Sequence, residues 1–478
     1  MYDVAIIGAG ISGMSIAREL SKYDLKVCVL EKEVDIAMGT TKANSAIVHA
    51  GFDAKPDSLK GMLNAAANRL FDQLSKELDF HFRRNGSLVL CFDKKDIEHL
   101  EFLRQQGIQN GVPNLLILDK AAVKEMEPNL SEDVVAALYA PTGGIVCPYE
   151  MAIGMAENAY ENGVEFYFEN KVLDIKKSDD GYRIITDKNT YISKVVINAA
   201  GVHSDEINNL VSSNKLNIIP RRGEYCVFDK EVGSYIDKTI FQLPTKLGKG
   251  VLVTPTVDGN LLIGPNAVDI DDKDDLSTTK SGLDEILNKA SLSIKKMPSH
   301  AIIASFTGLR ARTEADDFII GEVPDAKGFI NVAGIESPGL SSAPCIAMMV
   351  KDIVVEILAP QEKANFNPVR KGIPHFSEMS NEDRQSLIAQ NPAYGQIVCR
   401  CETVSEGEIL SAIHRPLGAT TLDGIKRRTR AGSGRCQSGF CMTRVLDILS
   451  SELEIKRTEV TKFGGESRLL VGKNKEDV

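Results

Sequence analysis

The chain of 478 residues is predicted to be an α/β protein that carries a second, antiparallel sheet and a small, mostly helical C-terminal unit. Three observations predict this. A strand, a glycine turn, a helix and a second strand open the chain; alternating strand text runs from about Pro220 to Pro298; and four of the nine cysteines crowd into the last eighty residues. At roughly 100–200 residues per domain the length allows about three domains. A hydrophobic fraction of 43% and a charged fraction of 26% are ordinary for a soluble globular chain and exclude fibrous and wholly disordered classes. The net charge of −10 argues against nucleic acid as the main partner.

Asp3 to Ile7 is a short apolar strand, Gly8 to Gly13 a turn, Ile11 to Tyr23 a helix by its apolar period, and Lys26 to Glu31 a second strand. This βαβ opening implies a parallel sheet. Ser58 to Leu78 and Tyr149 to Asn162 read as helices, and Ser87 to Phe92 as a strand that starts an inserted region. Val164 to Phe168 is a strand, Lys171 to Ile192 a small antiparallel meander, and Lys194 to Asn198 a buried strand closed by Ala199-Ala200-Gly201. Strands at Glu224–Phe228, Val251–Pro255 and Asn260–Ile263, then a helix from Ser281 to Leu292, form the second sheet and its cover. Residues 301–347 return to strand, turn and helix, and the polar, Pro- and Asn-rich stretch from Pro360 to Pro392 reads as a linker.

Gly8-Ala9-Gly10-Ile11-Ser12-Gly13 is GxGxxG between a strand and a helix. Glycines allow the tight turn and the close approach of a pyrophosphate, and the helix N-terminus offers free N–H groups and partial positive charge. Glu31 ends the next strand, 18 residues beyond Gly13, where an acid bonds a ribose hydroxyl. Later text favours FAD over NAD. Val195 to Gly201 (VVINAAG) would pass close to the dinucleotide, Gly328 to Gly334 (GFINVAG) is a strand ending in glycine, and Ser337-Pro338-Gly339-Leu340-Ser341 opens a helix. Such a helix N-terminus stabilises negative charge on a reduced flavin.

Asn44 to Phe52 (NSAIVHAGF), Gly223-Glu224-Tyr225, Phe306 to Arg310 (FTGLR) and Gly334 to Pro344 (GIESPGLSSAP) complete a resemblance. Residues 1–358 are similar to the D-amino-acid-oxidase-like FAD oxidoreductases, in the glycerol-3-phosphate dehydrogenase and L-2-hydroxyglutarate dehydrogenase branch. The resemblance implies a discontinuous Rossmann-like FAD-binding domain (1–80, 141–219 and 300–358) and an α+β substrate domain with an antiparallel sheet (81–140 and 220–299). It further implies FAD contacts at Lys32, Thr41, Ser45, Val172, Ala200, Gly201, Gly308, Gly339, Leu340 and Ser341, beside those of the glycine turn and Glu31.

Oxidising a secondary alcohol with a flavin calls for a base at the hydroxyl and cations at the anionic end of the substrate. His49, just after the strand Ser45–Val48, is the candidate base or orienting group; Arg310 is the first candidate for the phosphate or carboxylate, because a guanidinium offers a bidentate fork. Arg312 would share its face if the segment is extended. Lys246 and Lys249 could reach a phosphate, and Tyr225 could cap the pocket. His203 and His300 read as structural.

Cys399-x-Cys401, then 34 residues, then Cys436-x4-Cys441 is a metal signal. Four thiolates in two clusters suit a 2Fe–2S centre or a structural zinc, and the tight CxC spacing is unusual for a zinc knuckle. Cys399-Arg400-Cys401-Glu402 and Gly434 to Cys441 (GRCQSGFC) resemble the bacterioferritin-associated-ferredoxin-like 2Fe–2S domain, here over 395–455, after a linker at 359–394 and before a tail at 456–478. From Cys399 onward 14 basic and 11 acidic residues give +3, which leaves −13 for the rest. The run Lys426-Arg427-Arg428-Thr429-Arg430 is either a set of cations near the cluster, a contact for an acidic partner or a solvated helix face. Cys28, Cys91, Cys147, Cys226 and Cys345 lie in apolar text and read as small core residues.

The resulting expectation is an FAD-dependent dehydrogenase that oxidises sn-glycerol 3-phosphate to dihydroxyacetone phosphate by hydride transfer to flavin N5. Electrons would leave through the 2Fe–2S centre to a partner flavoprotein or quinone-linked chain, in an oligomer or hetero-complex. Alternatives are L-2-hydroxyglutarate or another 2-hydroxy acid, an amine or amino acid, or a redox sensor without turnover. No run of 18 apolar residues and no basic leader appear, so the expected setting is cytoplasmic, with peripheral contact at the inner face of the cell membrane left open.

Overall fold

The computed structural model describes residues 1–243 and 250–472. Its first sheet has eight strands. Val172–Ser178, Gly181–Thr186, Thr190–Asn198, Tyr2–Ile7, Val27–Leu30 and Glu165–Tyr167 lie in that order, and Ala326–Ala333 adds to Thr190–Asn198 and carries Ile319–Val323. The pairings around Tyr2–Ile7 are parallel. Because side chains alternate along a strand, Val4 and Ile6 join one core with Met14 and Ile16 of the first helix, while Ala5 and Ile7 join another with Tyr182 and Phe329. Both faces of the sheet are therefore covered. The helices Ile11–Leu20, Pro148–Glu161 and Gly339–Leu358 pack together on one side.

The second sheet has nine strands and unites two stretches that are far apart in sequence. Ser87–Cys91, Ala136–Ala140 and Leu116–Asp119 continue the edge of the sheet formed by Ile219–Phe228, Leu261–Gly264, Leu252–Pro255 and Thr239–Gln242. Its longest pairing is between Ile219–Phe228 and Ile302–Arg312, over the whole of both strands. The strand Ile302–Arg312, assigned by sequence to the flavin domain, thus belongs to the second sheet. The helix Lys280–Ala290 covers this sheet through Ile286 and Ala290. A buried acid fixes that helix: Glu224 accepts from Asn266 Nδ2 (2.7 Å) and from the backbone N–H of Thr279, the helix N-cap. Gly282 is required there, since a Cβ would lie 1.7 Å from Glu224 Oε2.

The C-terminal unit pairs Ile397–Cys399 with Val404–Ser405 and packs the helices Glu406–His414, Leu422–Thr429 and Met442–Glu452 around Ile409, Ile425, Leu446 and Leu449. Ser405 and Glu408 form a capping box at the first of these helices. The unit sits on the body through buried ion pairs. Asp35 accepts from Arg427 (2.5 Å) and twice from Arg428 (2.8 Å each); Glu157 binds Arg415 and Arg370 (2.6 Å each); and Arg430 joins Asp258 (2.6 Å) to Glu402 (2.8 Å). The basic run is accordingly no solvated face, because Arg427 and Arg428 are 6% and 4% exposed.

The polar stretch read as a linker is packed against the body. It contains the helix Asn381–Gln390, and Arg370 is buried with Nη1 donating to the carbonyls of Leu78 and Asp79. No helix among the described residues is long and apolar enough to cross a membrane.

Asp35→Ala would leave two buried guanidinium groups without a counter-charge, which costs ~3–5 kcal/mol. Denaturant unfolding followed by limited proteolysis is expected to show the C-terminal unit detaching before the body. The pH dependence has a definite sign. Burial would raise the pKa of Asp35, but the Arg428 and Arg427 charges outweigh it and hold it at about 2, below the ordinary 3.8. The contact is therefore fully present above about pH 4 and is lost as pH falls toward about 2. Limited proteolysis between the units should follow that window, and Asp35→Asn should remove this part of the dependence.

Candidate functional site

A cavity of about 730 Å³ lies between the C-terminal ends of the parallel strands and the second sheet. Gly8, Gly10, Ile11 and Ser12 form one part of its wall. Gly8 has φ +106°, and a Cβ there would lie 2.5 Å from the carbonyl oxygen of Ala199. The N-cap of the first helix is Gly10, with no side-chain cap. A single hydroxyl intervenes at this helix end, where Thr41 Oγ1 accepts from Ile11 N (3.0 Å). Gly13 does not line the cavity; its role is packing, because a Cβ would sit 2.1 Å from Gly8 O.

Glu31 lines the cavity and is bound from both sides. Its Oε2 accepts from Ala9 N (2.6 Å) and its Oε1 from Glu33 N (2.9 Å), and burial raises its pKa. The carboxylate thus also stiffens the glycine turn. Lys32, Thr41, Ser45, Val172, Ala200, Gly201, Gly308, Gly339 and Leu340 all lie on the cavity wall. Gly308 permits a close crossing: a Cβ would meet the carbonyl oxygen of Ala43 at 1.8 Å. The glycine cradle, the open helix N-terminus, the paired acid and the volume fit a dinucleotide such as FAD.

His49, Arg310 and Tyr225 line this cavity from three separate segments. The His49 backbone N–H donates to Ser341 Oγ (2.8 Å) and its carbonyl accepts from Asn68 Nδ2 (3.0 Å). His49 Nε2 lies 3.3 Å from Ser337 Oγ. Ser341, expected at the cofactor, is instead fully buried beneath the wall and positions His49. Tyr225 stacks on Phe306 at 4.6 Å and its hydroxyl lies 3.1 Å from Ser45 Oγ. Arg310 lines the cavity, and its Nη2 donates to the carbonyl of Asn266 (3.4 Å).

Arg312 does not reach the cavity. Asp269 Oδ2 lies 3.7 Å from it, and the same carboxylate holds Arg221 at 2.5 Å. Lys246 and Lys249 fall outside the described residues. His203 lies on the wall, paired with Glu206 and Lys32, and His300 is exposed near Glu231. Sequence reasoning missed Lys42, Asn44, Thr307 and Ser337, all on the wall. Asn44 shapes its segment by donating to the carbonyls of Thr40 and Thr41 and accepting from Ala46 N. It stands inside the quoted stretch NSAIVHAGF, so a signal was present; burial lowers the pKa of Lys42, for which no sequence signal existed.

None of the nine cysteines is in a disulfide. Cys28, Cys91, Cys147 and Cys226 are buried in the body and Cys345 is half-buried. The other four converge in the C-terminal unit as two close pairs. Cys401 Sγ lies 3.5 Å from Cys436 Sγ, and the neighbouring Cys441 side chain lowers the Cys399 pKa. Gln437 and Ser438, at φ +47° and +72°, turn the chain between the last two cysteines. Two pairs of thiols matches a two-iron centre better than a single tetrahedral ion. The pair Cys399 and Cys441 is buried, and Cys401 is exposed.

The architecture and the two sites define a flavin-dependent oxidoreductase with an iron–sulfur unit. The family model for FAD dependent oxidoreductases matches residues 3–353, and the BFD-like [2Fe-2S] binding domain matches residues 397–451. The chain belongs to the FAD dependent oxidoreductase family, uses FAD, and carries a BFD-like 2Fe–2S domain. It is 57% identical to a glycerol 3-phosphate dehydrogenase of Caloramator mitchellensis, over 100% of both chains. It is 33% identical to a glycerol 3-phosphate oxidase of Mycoplasma genitalium, over 77% of this chain and 97% of that protein. Among solved structures, the dithionite-reduced L-alpha-glycerophosphate oxidase of Mycoplasma pneumoniae with FAD bound superposes with TM-score 0.74 at 30% identity, covering 77% of this chain and 98% of the other.

Gly8→Ala would force a Cβ into the backbone at a left-handed position, a strain of ~1–3 kcal/mol. FAD affinity, measured by flavin fluorescence quenching, is expected to fall roughly 10–100-fold. Cys436→Ser should abolish the cluster's visible absorption and leave the flavin content unchanged.

Proposed function

We propose that this chain oxidises sn-glycerol 3-phosphate to dihydroxyacetone phosphate and passes the electrons through its 2Fe–2S centre to an external acceptor. One observation carries the reading: His49 and Arg310 line the same cavity, in a chain similar along its full length to a glycerol 3-phosphate dehydrogenase. FAD, when bound, supplies the hydride acceptor.

The remaining chemistry is the protein's. Arg310 holds the phosphate through its guanidinium fork. His49 Nε2 takes the proton of the secondary hydroxyl, which replaces Ser337 Oγ as its partner, while Ser341 and Asn68 hold the His49 backbone in place. Tyr225, held by Ser45 and Phe306, closes the cavity over the substrate. The N-terminus of the helix Gly339–Leu358 presents Gly339 and Leu340 to the cavity and favours negative charge there. Arginine placement weighs against a dicarboxylate such as L-2-hydroxyglutarate. Two separated arginines would suit that substrate, and Arg310 is the only arginine on the described wall because Asp269 binds Arg312. The acceptor is a partner flavoprotein or a quinone-linked chain that docks at the cluster-bearing unit.

An anaerobic titration with glycerol 3-phosphate should bleach the flavin and then the cluster, while L-2-hydroxyglutarate leaves both oxidised; the reverse order of substrates would overturn the reading. His49→Asn is expected to lower kcat by about 10²-fold or more. Arg310→Ala should raise KM with a smaller effect on kcat, as measured with an artificial acceptor.

A further inference from the structure

A second group of ligating side chains shares no residue with either redox site. His81 precedes the strand Phe82–Arg83, Glu150 is in the first turn of the helix Pro148–Glu161, and His375 and Glu378 are on the strap at 359–394. We propose that His81, Glu150 and His375 form a binding site for a divalent transition metal of the zinc type, which clamps the strap to the flavin body.

One ligand atom from each of the three lies within 4.8 Å of the other two. Ligands 2.0–2.1 Å from a tetrahedral Zn²⁺ lie about 3.4 Å apart, so small side-chain movements bring the three into a coordination shell. Two imidazoles and one carboxylate are a familiar zinc donor set. The orientation of His81 supports the assignment. Its Nδ1 faces Glu150 Oε2 at 2.8 Å, and its Nε2 lies 3.0 Å from Glu378 Oε1. A metal at Nδ1 leaves Nε2–H to donate to Glu378, which is the carboxylate–histidine–metal arrangement that fixes ring and tautomer.

The backbone is fixed as well. His81 N donates to Glu150 Oε2 (3.2 Å), and the His81 carbonyl accepts from Cys147 N (2.9 Å). The His375 ring stands 4.4 Å from that of His81, at 63°. Charge also balances: Glu150 and Glu378 together neutralise one dication beside two neutral imidazoles. Glu150 is 7% exposed and Glu378 stands at the solvent edge, so the site has a buried floor and an open mouth. With a proton in place of the metal, His81 would bridge the two carboxylates as an imidazolium, and its contact with Glu378 would hold the strap at this point.

The test uses the full chain with FAD and cluster loaded, dialysed anaerobically against buffered Zn²⁺. Zinc, iron and sulfide per chain are measured together, with zinc-edge X-ray absorption on the same samples. Expected are one zinc per chain beyond a full iron complement, and a shell of nitrogen and oxygen near 2.0–2.1 Å with no sulfur near 2.3 Å. Glu378→Gln should weaken zinc binding by ~10–100-fold while iron, sulfide and flavin stay constant. His375→Ala should remove the zinc. If His375→Ala fails to fold, Glu378→Gln, with its exposed side chain, carries the test. Wild-type protein without zinc beyond the cluster, a sulfur shell, or zinc retained by both variants would overturn the proposal.

Discussion

The arrangement of the molecule depends on a few arginines taken out of water. Asp35 receives Arg427 and Arg428 together, and Nη1 and Nη2 of Arg428 also reach the carbonyls of Gly424 and Leu417. Asp35 lies four residues beyond Glu31, on the loop that also contributes Met38 and Gly39 to the cavity wall. The contact that seats the C-terminal unit is therefore built on the loop that shapes the cofactor cavity. Buried ion pairs add little net stability over well-packed apolar residues, yet removing one partner is costly. Their value here is positional, since only one placement of the unit satisfies Asp35, Glu157 and Asp258 at once.

This explains the uneven charge along the sequence. An acidic body and a slightly basic tail are the two sides of one interface. Arg415, Arg427, Arg428 and Arg430 meet Glu157, Asp35 and Asp258. The run from Lys426 to Arg430 is thus spent mainly inside the molecule. What it leaves near the cluster is Arg430, which pairs with Glu402 next to Cys401.

The parts legible in the sequence were those written locally. The glycine turn, its flanking strand and helix, and the acid at Glu31 are contiguous or nearly so, and the cysteine pairs announce themselves by spacing. The second sheet was legible as strands, but its membership was not. Ile302–Arg312 looks like a prelude to the flavin-domain text that follows, and only its pairing with Ile219–Phe228 shows where it belongs. Arg312 was misplaced for a related reason. Alternation does put it on the face of Arg310, but the strand Val268–Asp269 brings a carboxylate beside it and Arg221, a partner 43 residues earlier in sequence. The polar strap read as a linker because its contacts are made by few residues, Arg370 above all, and one buried arginine leaves no periodic mark.

That strap matters for electron flow. Oxidation of a carbinol releases two electrons at once, whereas a 2Fe–2S centre accepts one at a time, so two transfers must follow each turnover. Transfer between bound centres falls steeply with separation, and both transfers need the same short path. A free tether spanning the 36 residues of 359–394 would let the cluster unit roam over roughly 30–36 Å of end-to-end distance. Arg370 and Arg415 share the carboxylate of Glu157, and Phe376 N donates to Glu408 at the capping box of the C-terminal unit. The strap is thereby fastened to the body at one end and to the cluster-bearing unit at the other. A chain with the composition of a linker acts as a brace, and the two redox sites keep one separation through both transfers.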